Sequence, residues 1–243
     1  MITSRMACLF GTLLLAGELR AEIVNGGFES GAFAPWLTLG NTSVEGGLAT
    51  PPSEGVFQAL MTADLGATAG DIELFLDLLP GSLGDLLPPN AFPIGTGSAI
   101  YLDIIANAGD VLSFDWNFLT NEAVTPNALV NDFSFWSLSN EQGAVVLATP
   151  FSTGFLSSPT VFSFETGYST SSYTILNDGT YRLGFGVMNS GDDGGDSGLL
   201  IDNVTLAAAI PEPASVTLVS VSLVLSAVGL RRRWHAKRKP RTA

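Results

Sequence analysis

Any chemistry in this chain has to be done with oxygen. Its 243 residues hold 23 acidic side chains against ten basic ones, with one histidine, His235, and one cysteine, Cys8. Both lie close to the chain ends, and between residues 22 and 210 there is no imidazole, thiol or lysine. That excludes zinc sites of the Cys and His type and nucleophiles that depend on those bases. Carboxylates leave two chemistries open. Paired acids, such as Asp115 with Glu122 or Asp115 with Asp132, are the equipment of a glycan hydrolase or lyase. No feature marks one of them as a proton donor in an apolar pocket, so a non-enzymatic reading is preferred. Calcium is the second use, because it is a hard cation that collects about six to eight oxygen ligands. Two stretches supply them: the entry segment from Asn25 to Glu29 with Asp202, and the loop bearing Asp192, Asp193 and Asp196.

Sugar binding asks for an exposed aromatic ring beside acids or amides. Alternation puts Trp136 on one strand face with Asp132 and Ser134; Trp136 and Asp132 are the candidate ligand site, and core packing is the competing and preferred reading of the ring. Trp116 shares a face with Leu112, Phe114 and Phe118 and reads as core. Gly195-Asp196-Ser197-Gly198 resembles the nucleophile motif of serine proteases, but no base is available to activate Ser197. Arg182 reads as half of a structural ion pair.

Charge is segregated along the chain. Seven basic residues crowd the last thirteen positions, and Arg5 and Arg20 precede residue 22, which leaves Arg182 alone against 21 acids between residues 22 and 210. A segment of charge −20 repels nucleic acid and anionic membranes, and both are excluded as partners for it.

The elements that would position these residues are strands. Leu112, Phe114, Trp116 and Phe118 alternate with Ser113, Asp115 and Asn117, giving a sheet with one face toward the core. Similar patterns run over 100–105, 129–138, 144–148, 161–164 and 199–206. Ser171 to Leu176 and Thr180 to Met188, joined at Asn177-Asp178-Gly179, read as a hairpin with Tyr181, Leu183, Phe185 and Val187 inward. Ile23-Val24 reads as a short first strand, with Phe28 and Trp36 as anchors. Asn41 to Glu54 reads as a loop leading into a strand over 55–61. Asp71 to Leu87 is different: apolar residues at spacings of three and four predict short helical turns broken at Pro80-Gly81. The expectation is a mainly β fold, an antiparallel β-sandwich of about nine strands over residues 22–208 with one helical insertion.

Both ends read as addresses. Arg5, the largely apolar stretch from Met6 to Gly17 and the small residue Ala21 predict a secretory signal over residues 1–21, handled by the Sec machinery and cut after Ala21. At the other end, Pro211-Glu212-Pro213 precedes the uncharged run 214–230, then Arg231-Arg232-Arg233 and a basic tail over 234–243. A run of this length reaches about 25 Å as a helix, enough to span a membrane with its basic end in the cytoplasm. An ordinary single-span anchor would look the same.

Residues 209–233 resemble the PEP-CTERM sorting signal of Gram-negative bacteria. The resemblance implies that a membrane exosortase reads Pro211, Glu212 and Pro213, removes the helix and its arginines, and delivers the protein to the cell surface or extracellular polymer. Val24-Asn25-Gly26-Gly27-Phe28-Glu29, Trp36 and Leu200-Ile201-Asp202-Asn203-Val204 resemble the edges of carbohydrate-binding jelly-roll modules with a galactose-binding-like fold. That likeness implies a structural calcium ion held by Glu29, Asp202 and backbone oxygens around Asn25, with extracellular polysaccharide as partner. The insertion 71–87 has no counterpart in it.

Overall fold

The computed structural model describes residues 23–209, except Ala49, Leu65, Asn90, Ala123, residues 125–131 and residues 192–195. The chain divides into two units, Met1–Ala208 and Ala209–Ala243, and all of the second but Ala209 lies outside the described residues. So do Ala21, Pro211, Glu212, Pro213, the run 214–230 and Arg231, Arg232 and Arg233. Among the described residues no helix is long and apolar enough to cross a membrane.

Two antiparallel sheets face each other. One, sheet A, contains β1 (Leu37–Leu39), β4 (Ala67–Thr68), β5 (Ile94–Ala106), β7 (Phe133–Leu138), β8 (Gly143–Ala148) and β12 (Gly179–Ser190), in the order β1-β5-β12-β7-β8 with β4 also on β5. Sheet B contains β2 (Asn41–Glu45), β3 (Gln58–Thr62), β6 (Val111–Thr120), β9 (Leu156–Ser157), β10 (Phe164–Glu165), β11 (Ser169–Thr174) and β13 (Ser197–Ala207), in the order β2-β3-β13-β6-β10-β9 with β11 also on β6. The alternation read from β6 and β12 is what closes the sandwich. Leu112, Phe114 and Phe118 meet Leu183, Phe185 and Val187 in one buried cluster, with the Phe114 and Phe185 rings 4.8 Å apart.

The expected β-sandwich is present, and the differences from the sequence reading have physical causes. Ile23-Val24 leads into a turn, because Asn25 adopts a φ of 57° and its amide donates to the carbonyls of Ala32 and Ala34. The stretch read as a loop contains β2, which is held by pairing Asn41–Glu45 against β3. Strands β11 and β12 do not form a hairpin. β11 pairs with β6 in sheet B and β12 with β5 and β7 in sheet A. Their connection is tied to the neighbouring turn instead, where Ile175 exchanges backbone bonds with Gly109 and Asp110 and the Asp178 carboxylate accepts the amide of Ala108. Residues 161–163 are bends, and β10 begins only at Phe164.

The insertion forms α1 (Ala69–Phe75) and a short 3-10 turn at Gly84–Leu86. Thr68 caps the helix, its hydroxyl accepting the amide of Asp71 and donating to the Asp71 carboxylate at 2.6 Å. Glu73 then folds the chain back, its two oxygens accepting the amides of Gly81 and Leu83. This brings Ile72, Leu76 and Leu83 onto Ala99, Phe133, Phe135 and Met188 as a second apolar cluster on the outer face of sheet A. Both faces of β7 are therefore buried.

Candidate functional site

The turn at the entry is where the chain ends of the sandwich meet. Gly26 lies so close to β13 that a Cβ there would stand 2.0 Å from the Val204 carbonyl oxygen, and its own carbonyl accepts the Val204 amide at 3.0 Å. Only glycine permits that approach. Phe28 and Trp36 are the buried anchors predicted for this segment, and Trp36 Nε1 donates to the Asn25 carbonyl at 3.1 Å.

With the entry turn fixed against β13, three acidic side chains come together. A Cβ on Gly27 would lie 3.0 Å from Glu54 Oε2, 3.6 Å from Asp202 Oδ1 and 3.7 Å from Glu29 Cγ. Asp202 is fully buried. Its Oδ2 accepts the Ser53 hydroxyl at 3.0 Å and the Glu54 amide at 2.9 Å, and its Oδ1 accepts the Asn203 amide at 2.7 Å. Burial pushes the Asp202 carboxyl above its ordinary range, against the opposing pull of these donors. Glu29 Oε1 accepts the amides of Val56 and Phe57, each at 2.9 Å.

The structure thus brings together Glu29 and Asp202 and adds Glu54, which sequence reasoning missed because nothing in the composition ties loop 53–57 to β13. The donor set is the hard-oxygen kind that calcium takes. Most of those oxygens already accept amide or hydroxyl protons, and the Asn25 carbonyl accepts from Trp36 and Phe28. Among the described residues no group of three or more His, Cys, Asp or Glu side chains is arranged to hold a metal ion. The donors are of the chemical type calcium takes, and their hydrogen bonding is that of a closed protein contact.

Beside this corner, the outer face of sheet B carries a buried polar layer. Asp202 on β13 and Asp115 on β6 are cross-strand neighbours. Asp115 accepts the Thr170 hydroxyl at 2.5 Å and the Asn203 amide group at 3.0 Å. Glu165 accepts the hydroxyls of Thr50 and Ser158. Tyr168 donates to Gln58, whose own amide donates to the Thr50 carbonyl. Burial, together with the charges of Asp202, Asp115 and Glu165, pushes the Tyr168 hydroxyl far above its ordinary value. Asn117 Nδ2 lies buried in this layer with no hydrogen-bond partner.

The other predicted site residues are placed differently. Trp136 is 7% exposed and packs between Phe114 and Tyr173 in the core between the sheets, so it offers no flat platform. The alternation was read with the correct parity, but the insertion covers the face that would have been core by itself. Asp132 is buried and its Oδ1 accepts the Ser190 amide. Asp115 and Asp132 do not sit on neighbouring strands, since β6 and β7 belong to different sheets. Ser197 is a buried residue of β13, hydrogen-bonded to Thr120. Asp192 and Asp193 lie outside the described residues.

Fold and composition together define an acidic antiparallel β-sandwich with a third, apolar layer on one sheet. No protein-family model matches the chain, and no curated protein does. Among solved structures, TmCBM61 in complex with beta-1,4-galactotriose matches at 15% identity and a TM-score of 0.41, over 78% of this chain and 99% of that one. A Family 16 Carbohydrate Binding Module-2 matches at 14% identity and a TM-score of 0.33, over 76% of this chain and 98% of that one. The enzymatically active domain of bacteriophage CBA120 tailspike protein 4 matches at 11% identity and a TM-score of 0.37, over 76% of this chain and 21% of that one.

Proposed function

We propose that this protein is an exosortase-sorted, exported protein of a Gram-negative cell surface or extracellular matrix, whose sandwich binds polysaccharide without catalysis. The observation that carries the sorting reading is the charge segregation. A domain with one base against 21 acids is followed by Pro211-Glu212-Pro213, an uncharged run and seven bases in the last thirteen residues. A permanent anchor needs only the run and the bases; the Pro-Glu-Pro element is the part that a processing enzyme would read. The absence of His and Lys between residues 22 and 210 supports the non-enzymatic part, as does the full hydrogen bonding of Asp202. Intact-mass analysis of the native surface fraction tests the sorting. The expected mass lacks residues 214–243, and a surface form that retains them defeats it.

A second reading concerns a cofactor. The Glu54 and Asp202 carboxylates within 4 Å of one point at Gly27, with the Glu29 side chain beside them and Asp202 buried, favour a structural calcium ion at the entry corner. Glu29 and Asp202 would hold it, with Glu54 turning in and a backbone oxygen near Asn25 completing the set. Calcium would neutralise the clustered charge and tie the chain entry to β13. Melting in calcium and in chelator tests this, and identical midpoints would remove the ion from the account.

A further inference from the structure

The insertion creates a groove that is independent of both the entry corner and the polar face of sheet B. Its walls are the segment just after α1, with Asp77, Leu78 and Leu79, and the turn between β7 and β8, with Ser139, Asn140 and Glu141. The open groove has a volume of about 400 Å³, room for one or two sugar rings. We propose that this groove is the binding site for a neutral polysaccharide, an assignment that rests on the polysaccharide-binding reading above and gives it a location.

Three features of the groove fix the ligand class. Its polar groups are two carboxylates, an amide and a hydroxyl, which together accept from and donate to sugar hydroxyls. The side chains of Asp77 and Asn140 make no hydrogen bond among the described residues, which leaves their acceptors and donors open to a ligand, although the Asp77 charge also acts on Arg182. Leu79, 80% exposed, and Leu78 offer the apolar surface on which the C–H face of a sugar ring rests. No base lines the groove, and Asp77 and Glu141 repel uronic acids and sulfated sugars.

The walls are held in place by the one basic residue of the described fold. Arg182 Nη1 donates to the Phe75 carbonyl at 2.8 Å, at the end of α1 and two residues before Asp77. Its backbone amide donates to Ser139 Oγ at 2.8 Å, and its carbonyl accepts the Ser139 amide at 3.1 Å. One residue therefore sets the width between both sides. Glu141 is fixed separately, accepting the Leu176 amide at 2.7 Å and the Tyr181 hydroxyl at 2.8 Å. A groove with fixed walls loses less entropy on binding than a mobile loop would.

The test is affinity electrophoresis of the full-length protein through gels containing laminarin, xylan or galactan, with polygalacturonate as the anionic polymer. At least one neutral polymer is expected to retard the protein. The double variant Asp77→Gly with Asn140→Gly should weaken that retardation roughly 10-fold, as loss of two ligand hydrogen bonds requires. Both replacements accept the positive φ values of 57° and 61° at these positions, so the melting midpoint should hold. Leu79→Ser, at an exposed position, provides an independent variant that should also weaken binding. If both variants bind as the parent does, the groove assignment fails while the polysaccharide reading stands. If no polymer retards the parent, both fail, and retardation by polygalacturonate in preference to the neutral polymers would overturn the ligand class while the polysaccharide reading stands.

Discussion

The two sheets are both covered on their outer faces, by opposite chemistries. Over sheet A lies an apolar layer, Ile72, Leu76 and Leu83 on Phe133, Phe135 and Met188. Over sheet B lies a polar one, in which Gln58, Asp115, Asn117 and Asp202 are buried under Thr50, Glu165 and Tyr168, with Leu119, Phe162 and Leu200 as a small apolar patch at its side. Apolar contact is non-directional and rewards area, so the helical layer can hold sheet A without fixing any proton. Hydrogen bonds are directional and a buried one left unmade is costly, so the layer on sheet B fixes loop register and ties its stability to pH. Stability should therefore be lost through volume on one side and through protonation on the other.

The largest effect is expected on the apolar side. Phe135 is fully buried in the cluster beneath α1, and its removal leaves both a transfer loss and a cavity that the fixed strand cannot close. Phe135→Ala should cost about 3–5 kcal/mol in denaturant unfolding, with little change in pH dependence. A loss below about 1 kcal/mol would mean that the insertion is not packed as a layer.

A smaller and oppositely shaped effect is expected on the polar side. Asp202 titrates above its ordinary 3.8 in the folded protein, chiefly because it is buried, with Glu29, Glu54, Asp115 and Tyr168 around it. The folded state therefore binds this proton more tightly than the unfolded state. Its contribution to stability is complete below pH 3.8 and is lost as pH rises through the raised value. In Asp202→Asn that component is gone, so the stability gap between parent and variant should narrow as pH rises from about 4 toward 7. Glu141 supplies the opposite sign. Burial works to raise it, but the Leu176 amide and the Tyr181 hydroxyl among its donors hold it below 4.5, so its contribution is present above that value and lost as pH falls. For Glu141→Gln the gap should widen with rising pH. Urea midpoints across the range check both slopes, and two parallel gaps would sink the contrast.

The same contrast explains what the sequence revealed. Alternation along β6 and β12 made the core between the sheets legible, since period two with one apolar face has a single packing solution. The change to spacings of three and four over 71–87 made the helical layer legible as an element. Its target was not: Phe133 and Phe135 alternate with Trp136 along one strand, and the pattern alone does not show that the helical layer covers the first two while Trp136 packs between the sheets. The polar layer was almost invisible, because buried Asp115 and Asn117 look like solvent-facing residues in any strand pattern. Only the pairing of β6 with β13, some 85 residues apart, reveals it. The crossing from β11 to β12 was hidden for a related reason. A short turn rich in Asn, Asp and Gly signals reversal, and which sheet each arm joins is decided by contacts at residues 107–110.

The smallest effect should come from the ion pair that borders the apolar layer. Arg182 Nε donates to Asp103 Oδ1 at 3.0 Å, with the two side chains 26% and 54% exposed, and the guanidinium stacks on the Tyr101 ring. At that exposure a pair contributes about 0–1 kcal/mol, and salt screens it further. Asp103→Asn should therefore shift unfolding by no more than this, and less in high salt. Arg182→Met should cost more than Asp103→Asn, because it also removes the donor to the Phe75 carbonyl and the cation over Tyr101. Equal losses in the two variants would show that the charge pair carries Arg182's contribution, and that the link from β12 to the end of α1 does not.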